Sequence, residues 1–224
     1  ISTWATTDTV TLPLADGTFG GVANVYDFTV YWGDGTSTEV DSASEGTHTY
    51  SSPGTYTVSI DGTIKGFRFA NGGDKAKIRN VSQWGSLNFG NGGGYFSGAS
   101  SLTATATDAP DLAGTTDLSS AFDGASSFNS NISNWDTSAV TSMGGMFAFA
   151  TSFNQPLTST PDGWSTESVT SLYAVFQGAS SFNQDLSSWD TSNVNNTAYT
   201  FNGASSFNKN LSSWDTSNVT DMGS

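Results

Sequence analysis

One word, repeated almost letter for letter, constrains this chain more than anything else in it. Phe201–Val219 reads FNGASSFNKNLSSWDTSNV, Phe176–Val194 reads FQGASSFNQDLSSWDTSNV, and Phe122–Val140 reads FDGASSFNSNISNWDTSAV. Anchor phenylalanines at Phe96, Phe122, Phe147, Phe176 and Phe201 are 26, 25, 29 and 25 residues apart. Trp135, Trp164, Trp189 and Trp214 follow at intervals of 29, 25 and 25. A period in this range marks units that cannot bury their apolar faces alone and do so by stacking on their neighbours.

Within the repeat, Val140, Met143 and Phe147 stand at spacings 0, 3 and 7, which predicts a single helical or 3-10 turn. Phe128, Phe153, Phe182 and Phe207 each precede an asparagine, and Ile132, Leu157, Leu186 and Leu211 follow four residues after the phenylalanine. That half predicts a short extended piece. The asparagines Asn129, Asn154, Asn183 and Asn208 are expected to form an internal ladder that satisfies backbone groups. Gly-Ala pairs such as Gly124-Ala125 are read as small residues where neighbouring coils pass closely. Asp136, Asp190 and Asp215, with the Thr-Ser pairs after them, are expected to cap the helical turn.

The chain carries 20 acidic and 6 basic residues, a formal charge of -14. It would be repelled by phosphate backbones and anionic membranes, so nucleic acid is not an expected partner. Ser and Thr make up 67 of 224 residues, yet aromatic residues reach 13 % and recur at fixed spacing, which argues for a packed core over disorder. The absence of cysteine excludes a thiol nucleophile, a disulfide scaffold and a zinc–thiolate site. No run approaches the roughly 18 apolar residues of a membrane span, so no membrane insertion is expected of this segment. Ile1 is not a natural start and Ser224 falls inside a repeat, so the sequence reads as a piece of a longer protein.

The first part has a different grammar. Val10–Leu14, Val25–Trp32, Thr47–Tyr50, Thr55–Ile60 and Thr63–Phe69 alternate as strands do, and Gly33-Asp34-Gly35 and Asp61-Gly62 read as tight turns. Five of the six basic residues lie between Lys65 and Arg79, where Lys75–Val81 predicts an edge strand or capping segment. That basic stretch pairs with the acidic remainder or, alternatively, forms a small patch for anionic sugars. Trp84, Leu87 and Phe89 are expected to close the end of the stack. The expected organisation is a β-sandwich or cap over 1–64, a junction over 65–90, and about five repeats over 91–224.

Two resemblances follow from these words. Trp32-Gly33-Asp34-Gly35, His48-Thr49-Tyr50 and Pro53–Val58 resemble the PKD-like β-sandwich domains of surface proteins. Residues 91–222 resemble the bacterial surface-protein repeat of the BspA-type leucine-rich-repeat-like group, on the words F-x-GA-S-S-F-N and W-D-T-S-x-V. The resemblance implies a mainly β fold with short helical or 3-10 turns. It also implies an N-terminal β-sandwich-like cap followed by a right-handed leucine-rich-repeat-like solenoid. It further implies an extracellular place, at the bacterial cell surface or secreted, and a link with adhesion.

Little in the chain suggests catalysis. His48 is the only histidine and is read as structural. The run Gly90–Gly94 lacks the lysine of a phosphate loop and reads as a turn. No enzyme activity and no cofactor are expected; structural calcium on the aspartate row is the one ion left open. Positions that vary between repeats are free of packing duty and are the candidate ligand-binding row: Ser130, Asn131, Gln155, Gln184, Asp185, Lys209 and Asn210. Asp123, Ala148, Gln177 and Asn202 vary after the anchor phenylalanine. The third repeat carries an insertion at Gln155–Gly163, a candidate contact loop. The expected partner is a protein or glycan on another cell surface, bound by a monomer; the rival reading is a passive spacer.

Overall fold

Period-two alternation builds the first part of the chain as sheet. The computed structural model describes residues 1–158 and 163–223; part of the predicted insertion loop, 159–162, lies outside them. The strands are β1 (Ser2–Thr6), β2 (Thr9–Thr11), β3 (Thr18–Phe19), β4 (Val22–Ala23), β5 (Val25–Tyr31), β6 (Ser37–Val40), β7 (Thr47–Thr49), β8 (Gly54–Lys65), β9 (Ile78–Val81) and β10 (Thr103–Ala104). Six of them form one sheet in the order β10-β9-β1-β8-β5-β6. On β5, Tyr26, Phe28 and Val30 are buried while Val25, Asp27 and Tyr31 face out. The fold is mainly β.

The motif residues of the first part converge. The Trp32 ring stacks on His48 at 5.0 Å, His48 meets Tyr50 edge-on at 4.5 Å, and Tyr50 stacks on Tyr56 at 3.8 Å. The Tyr50 hydroxyl donates to the Trp32 carbonyl at 2.9 Å. His48 Nε2 lies 2.8 Å from Asp34 Oδ2, so the single histidine is held by a turn carboxylate and two rings.

Two expectations in this part need correction. Asp61-Gly62 is no turn: β8 runs straight through it, with Asp61 opposite Thr29 and Gly62 opposite Phe28. Gly62 has φ +123, and a Cβ there would stand 2.4 Å from the Asp27 carbonyl oxygen. The glycine therefore serves close approach inside a strand, the other use of an isolated strand glycine. Nor is the strand in Lys75–Val81 an edge: β9 lies between β1 and β10. It joins the first part of the chain to the repeats, because β10 belongs to the first repeat.

From Phe96 onward the chain winds into stacked coils. Parallel bridges run Asp117–Ser142–Ser171–Asn196–Asp221. The anchors Phe96, Phe122, Phe147, Phe176 and Phe201 stack at 5.6–5.8 Å. Phe128, Phe153, Phe182 and Phe207 form a second column at 6.0 Å. The two columns touch ring on ring at 3.8–4.0 Å. Trp84 and Phe89 pack on Phe96 and Trp135. One hydrophobic core thus extends from Trp4 to Val194.

The predicted helical turns in the repeats do not form. The one helical element among the described residues is a 3-10 turn at Ala43–Glu45, in the first part of the chain. In the Met–Phe segment, N–H groups alternate between two uses. Ser120, Phe122 and Gly124 donate across to Gly144, Met146 and Ala148 of the next coil, while Ala121, Asp123 and Ala125 bond back three residues. A helix would spend every N–H within the coil and leave none to tie coils together.

The asparagine ladder forms, but on the surface. Asn129, Asn154 and Asn183 each offer Oδ1 to the backbone N–H of the asparagine one coil on, each at 2.9 Å. The side chains run from half-buried to exposed. The repeat tryptophans fall into two pairs: Trp189 and Trp214 donate to Leu157 and Leu186 of the preceding coil. The Nε1 atoms of Trp135 and Trp164 are buried without a partner among the described residues.

Candidate functional site

The segment around each anchor phenylalanine is built by backbone geometry before side chains matter. It opens on a bridge residue whose side chain accepts the N–H two residues on: Asp117 from Ser119 at 2.7 Å, Asn196 from Ala198 at 2.9 Å, Asp221 from Gly223 at 3.0 Å. The residue two before the phenylalanine then takes positive φ: Gly94, Ser120, Gly145, Ala174 and Tyr199, from +53 to +64. So does the residue two after it: Gly98, Gly124, Phe149, Gly178 and Gly203, from +54 to +76. The left-handed region is free for glycine and costs other L-residues about 1–2 kcal/mol each. This is what the Gly of each Gly-Ala pair is for: a Cβ at Gly124 would sit 3.6 Å from Gly98 Cα, an ordinary contact. Conformation, more than close passage, requires glycine there.

Two aromatic residues occupy these left-handed slots. Phe149 has φ +54 and is 53 % exposed; Tyr199 has φ +57 and is 39 % exposed. Tyr173, next to the left-handed Ala174, is 45 % exposed and meets Tyr199 edge-on at 5.8 Å. The Phe149 ring covers Gly178, where a Cβ would be 2.6 Å from it. The third, fourth and fifth coils therefore present Phe149, Tyr173 and Tyr199 to solvent from one kind of segment. Gln177 and Asn202, in the same segments, supply amides at the surface. Asp123, its counterpart two coils earlier, has its carboxyl raised by burial.

Residues 90–160 and 159–224 match the family model described as Mycoplasma protein of unknown function, DUF285. The chain belongs to the DUF285 family. No curated protein and no solved structure matches it. The two DUF285 matches begin at the glycine run Gly90–Gly94 and take in every stacked coil.

In the DUF285 portion the row proposed from sequence has other attachments. Gln155 Nε2 donates to Asn129 Oδ1 at 3.1 Å, and Gln184 Nε2 donates to both oxygens of Asn154 at 2.9 Å. Asn131, Asp185 and Asn210 accept the N–H groups of Ser133, Ser187 and Ser212, each at 2.9 Å. Ser130 Oγ accepts from the Ala104 N–H at 2.8 Å. Lys209 is exposed and acts on Asp185 through its charge. The row is brought to one face, and most of it is bonded to that face.

The aspartate row turns inward on its own serines. Asp136 accepts the Ser138 hydroxyl at 2.6 Å and N–H at 3.1 Å, and Asp190 and Asp215 accept from Ser192 and Ser217 at 2.9 Å. These serine bonds hold all three carboxyls below the ordinary range. Among the described residues, no three acidic or histidine side chains gather as a metal site. The aromatic strip was readable in principle: MFAFATSF against VFQGASSF shows a phenylalanine where its sister repeats carry glycine.

Proposed function

We propose that this DUF285 chain is a non-enzymatic binding module displayed outside the cell, at the bacterial surface or secreted. Its stacked coils we read as a right-handed leucine-rich-repeat-like solenoid behind a PKD-like, β-sandwich-like cap. The ligand is a protein or glycan of another surface, taken by a monomer without a cofactor. The observation that carries this reading is the placement of Phe149 and Tyr199. Each takes a left-handed backbone, Phe149 at a slot that is glycine in the other four coils and Tyr199 at one filled elsewhere by glycine, serine or alanine, and each leaves its ring partly in water. The rings pack only in part, Phe149 over Gly178 and Tyr199 against Tyr173, and strain of this kind gathers where function needs it. Exposed aromatic rings are also the side chains that most often anchor partners.

One observation favours the rival reading, a passive spacer. Gln155, Gln184 and Ser130 are engaged in holding coil to coil, which is what a stalk requires. The two readings separate on one experiment. Wild-type protein, Phe149→Gly and Tyr199→Gly are applied to arrays of host-type glycans, to surface proteins and to whole cells. The binding reading expects loss of about tenfold or more in affinity, a change of roughly 1.4 kcal/mol, with the thermal midpoint held. Wild-type protein that binds nothing, or variants that bind equally well, would leave the spacer standing.

A further inference from the structure

Where the six-stranded sheet meets the first coil there is a cavity of about 520 Å³. Its wall is the inner face of β8, with Val58, Ile60 and Ile64; Phe67 lies behind, and Trp84 and Leu87 close it from the facing loop. The volume falls within the roughly 300–1,000 Å³ of small-molecule sites, which favour apolar linings and boundaries between structural units. Trp84 is 4 % exposed, and Ser2, Ser59, Asp61, Gln83 and Ser86 add polar groups to the apolar side chains of the lining.

Charge narrows the ligand. Asp61 is the one ionisable side chain on the lining, which holds no lysine or arginine. The whole chain carries -14. An anion would leave water for a wall that carries the Asp61 carboxylate and no lysine or arginine to meet it, which is unfavourable. We propose that this cavity is a binding site for a small uncharged molecule with an alkyl or aromatic body, independent of the aromatic strip on the coils.

Two fluorescent compounds sharing one skeleton test it. N-phenyl-1-naphthylamine is uncharged, and its sulfonated relative 1-anilinonaphthalene-8-sulfonate is an anion of the same shape. The uncharged compound should bind one saturable site with blue-shifted emission, and the sulfonate should bind about tenfold more weakly or worse. Ile60→Trp, which fills the cavity, should abolish the signal while circular dichroism stays native. Should that variant misfold, Leu87→Trp fills the same space from the opposite loop. Tyr199→Gly should leave the signal unchanged, which separates this site from the proposed surface-binding strip. Absence of saturable binding to wild-type protein overturns the proposal. So does a signal that survives in a folded cavity-filling variant, and equal binding of both compounds overturns the preference for an uncharged ligand.

Discussion

The backbone N–H of Asn183 donates to Oδ1 of Asn154, one coil earlier, at 2.9 Å. Gln184 Nε2 lies 2.9 Å from the same oxygen and from the Asn154 carbonyl. Asn154 is thus an acceptor, and no bond of its own amide N–H₂ group is part of the ladder. Asn154→Ala should cost about 1–2 kcal/mol, because a half-buried N–H loses its partner. Asn154→Asp keeps the acceptor and should cost less than half as much. Urea unfolding of the two variants checks the order; equal losses would mean that the side chain matters for something other than accepting.

The double column of rings sets the largest single losses. Phe182 is fully buried, 3.8 Å from Phe176 in its own coil and 6.0 Å from Phe153 and Phe207 on either side. Phe182→Ala should cost about 3–5 kcal/mol, through lost burial and the cavity left behind. Phe207→Ala, at a half-buried position nearer the last coil, should cost less. Denaturant midpoints at constant m-value would read the difference.

Backbone strain gives a prediction of opposite sign. Ser120 sits at φ +53 with its hydroxyl near Gly145. Ser120→Gly relieves about 1–2 kcal/mol of strain and costs about 0.5–1 in chain entropy, for a net gain near 0.5–1 kcal/mol. Gly124→Ala, at φ +69, should lose about 1–2 kcal/mol. At this chain length, the gain corresponds to a rise of roughly 1–4 °C in the thermal midpoint, readable by calorimetry.

Acid should loosen the first part of the chain. The Thr36 hydroxyl, followed by His48, holds the Asp34 carboxyl down at about 2, against an ordinary 3.8. A carboxyl depressed on folding adds stability that is complete above its unfolded value and lost as pH falls through its folded one. Its contribution should therefore fade from just above pH 3.8 down to about 2. Asp34→Asn should flatten that part of the stability profile, measured by chemical denaturation at stepped pH. An unchanged slope would place the acid sensitivity in other carboxylates.

The mainly β fold and the stacked columns of rings were legible because the repeat is a packing statement. Phe, Trp, Leu and Val recur at the positions that point inward, and their spacing follows from the length of one coil. The strand alternation of Val25–Tyr31 was equally plain. What misled was period without backbone. Val140, Met143 and Phe147 fit a helical stripe, but glycines at Gly124 and Gly145 carry left-handed conformations, and the segment ties its neighbour instead. Asp61-Gly62 spells a turn by composition, although only the partner strand decides that it is passed straight through. The variable row drew attention because its letters change. Those letters, Asn131, Asp185 and Asn210, share one chemistry, a short side-chain oxygen for the N–H two residues on. The exposed rings were concealed by the opposite error: Phe149 looks like one more core aromatic until its slot is seen to be a glycine's. The cavity between β8 and Trp84 involves residues far apart in the chain, and no local pattern announces it.

The alternating use of N–H groups gives the stack an arrow. In the phenylalanine segments each coil donates forward, from Ser120, Phe122 and Gly124 to the coil that follows. On the asparagine row the later coil donates backward, to the side chain before it. The two faces of any coil are therefore different plugs. A coil transplanted elsewhere in the array finds its partners only if its heading is kept. Two such arrays can be spliced head to tail without loss of a bond, while a head-to-head splice sets donors against donors along the phenylalanine segments.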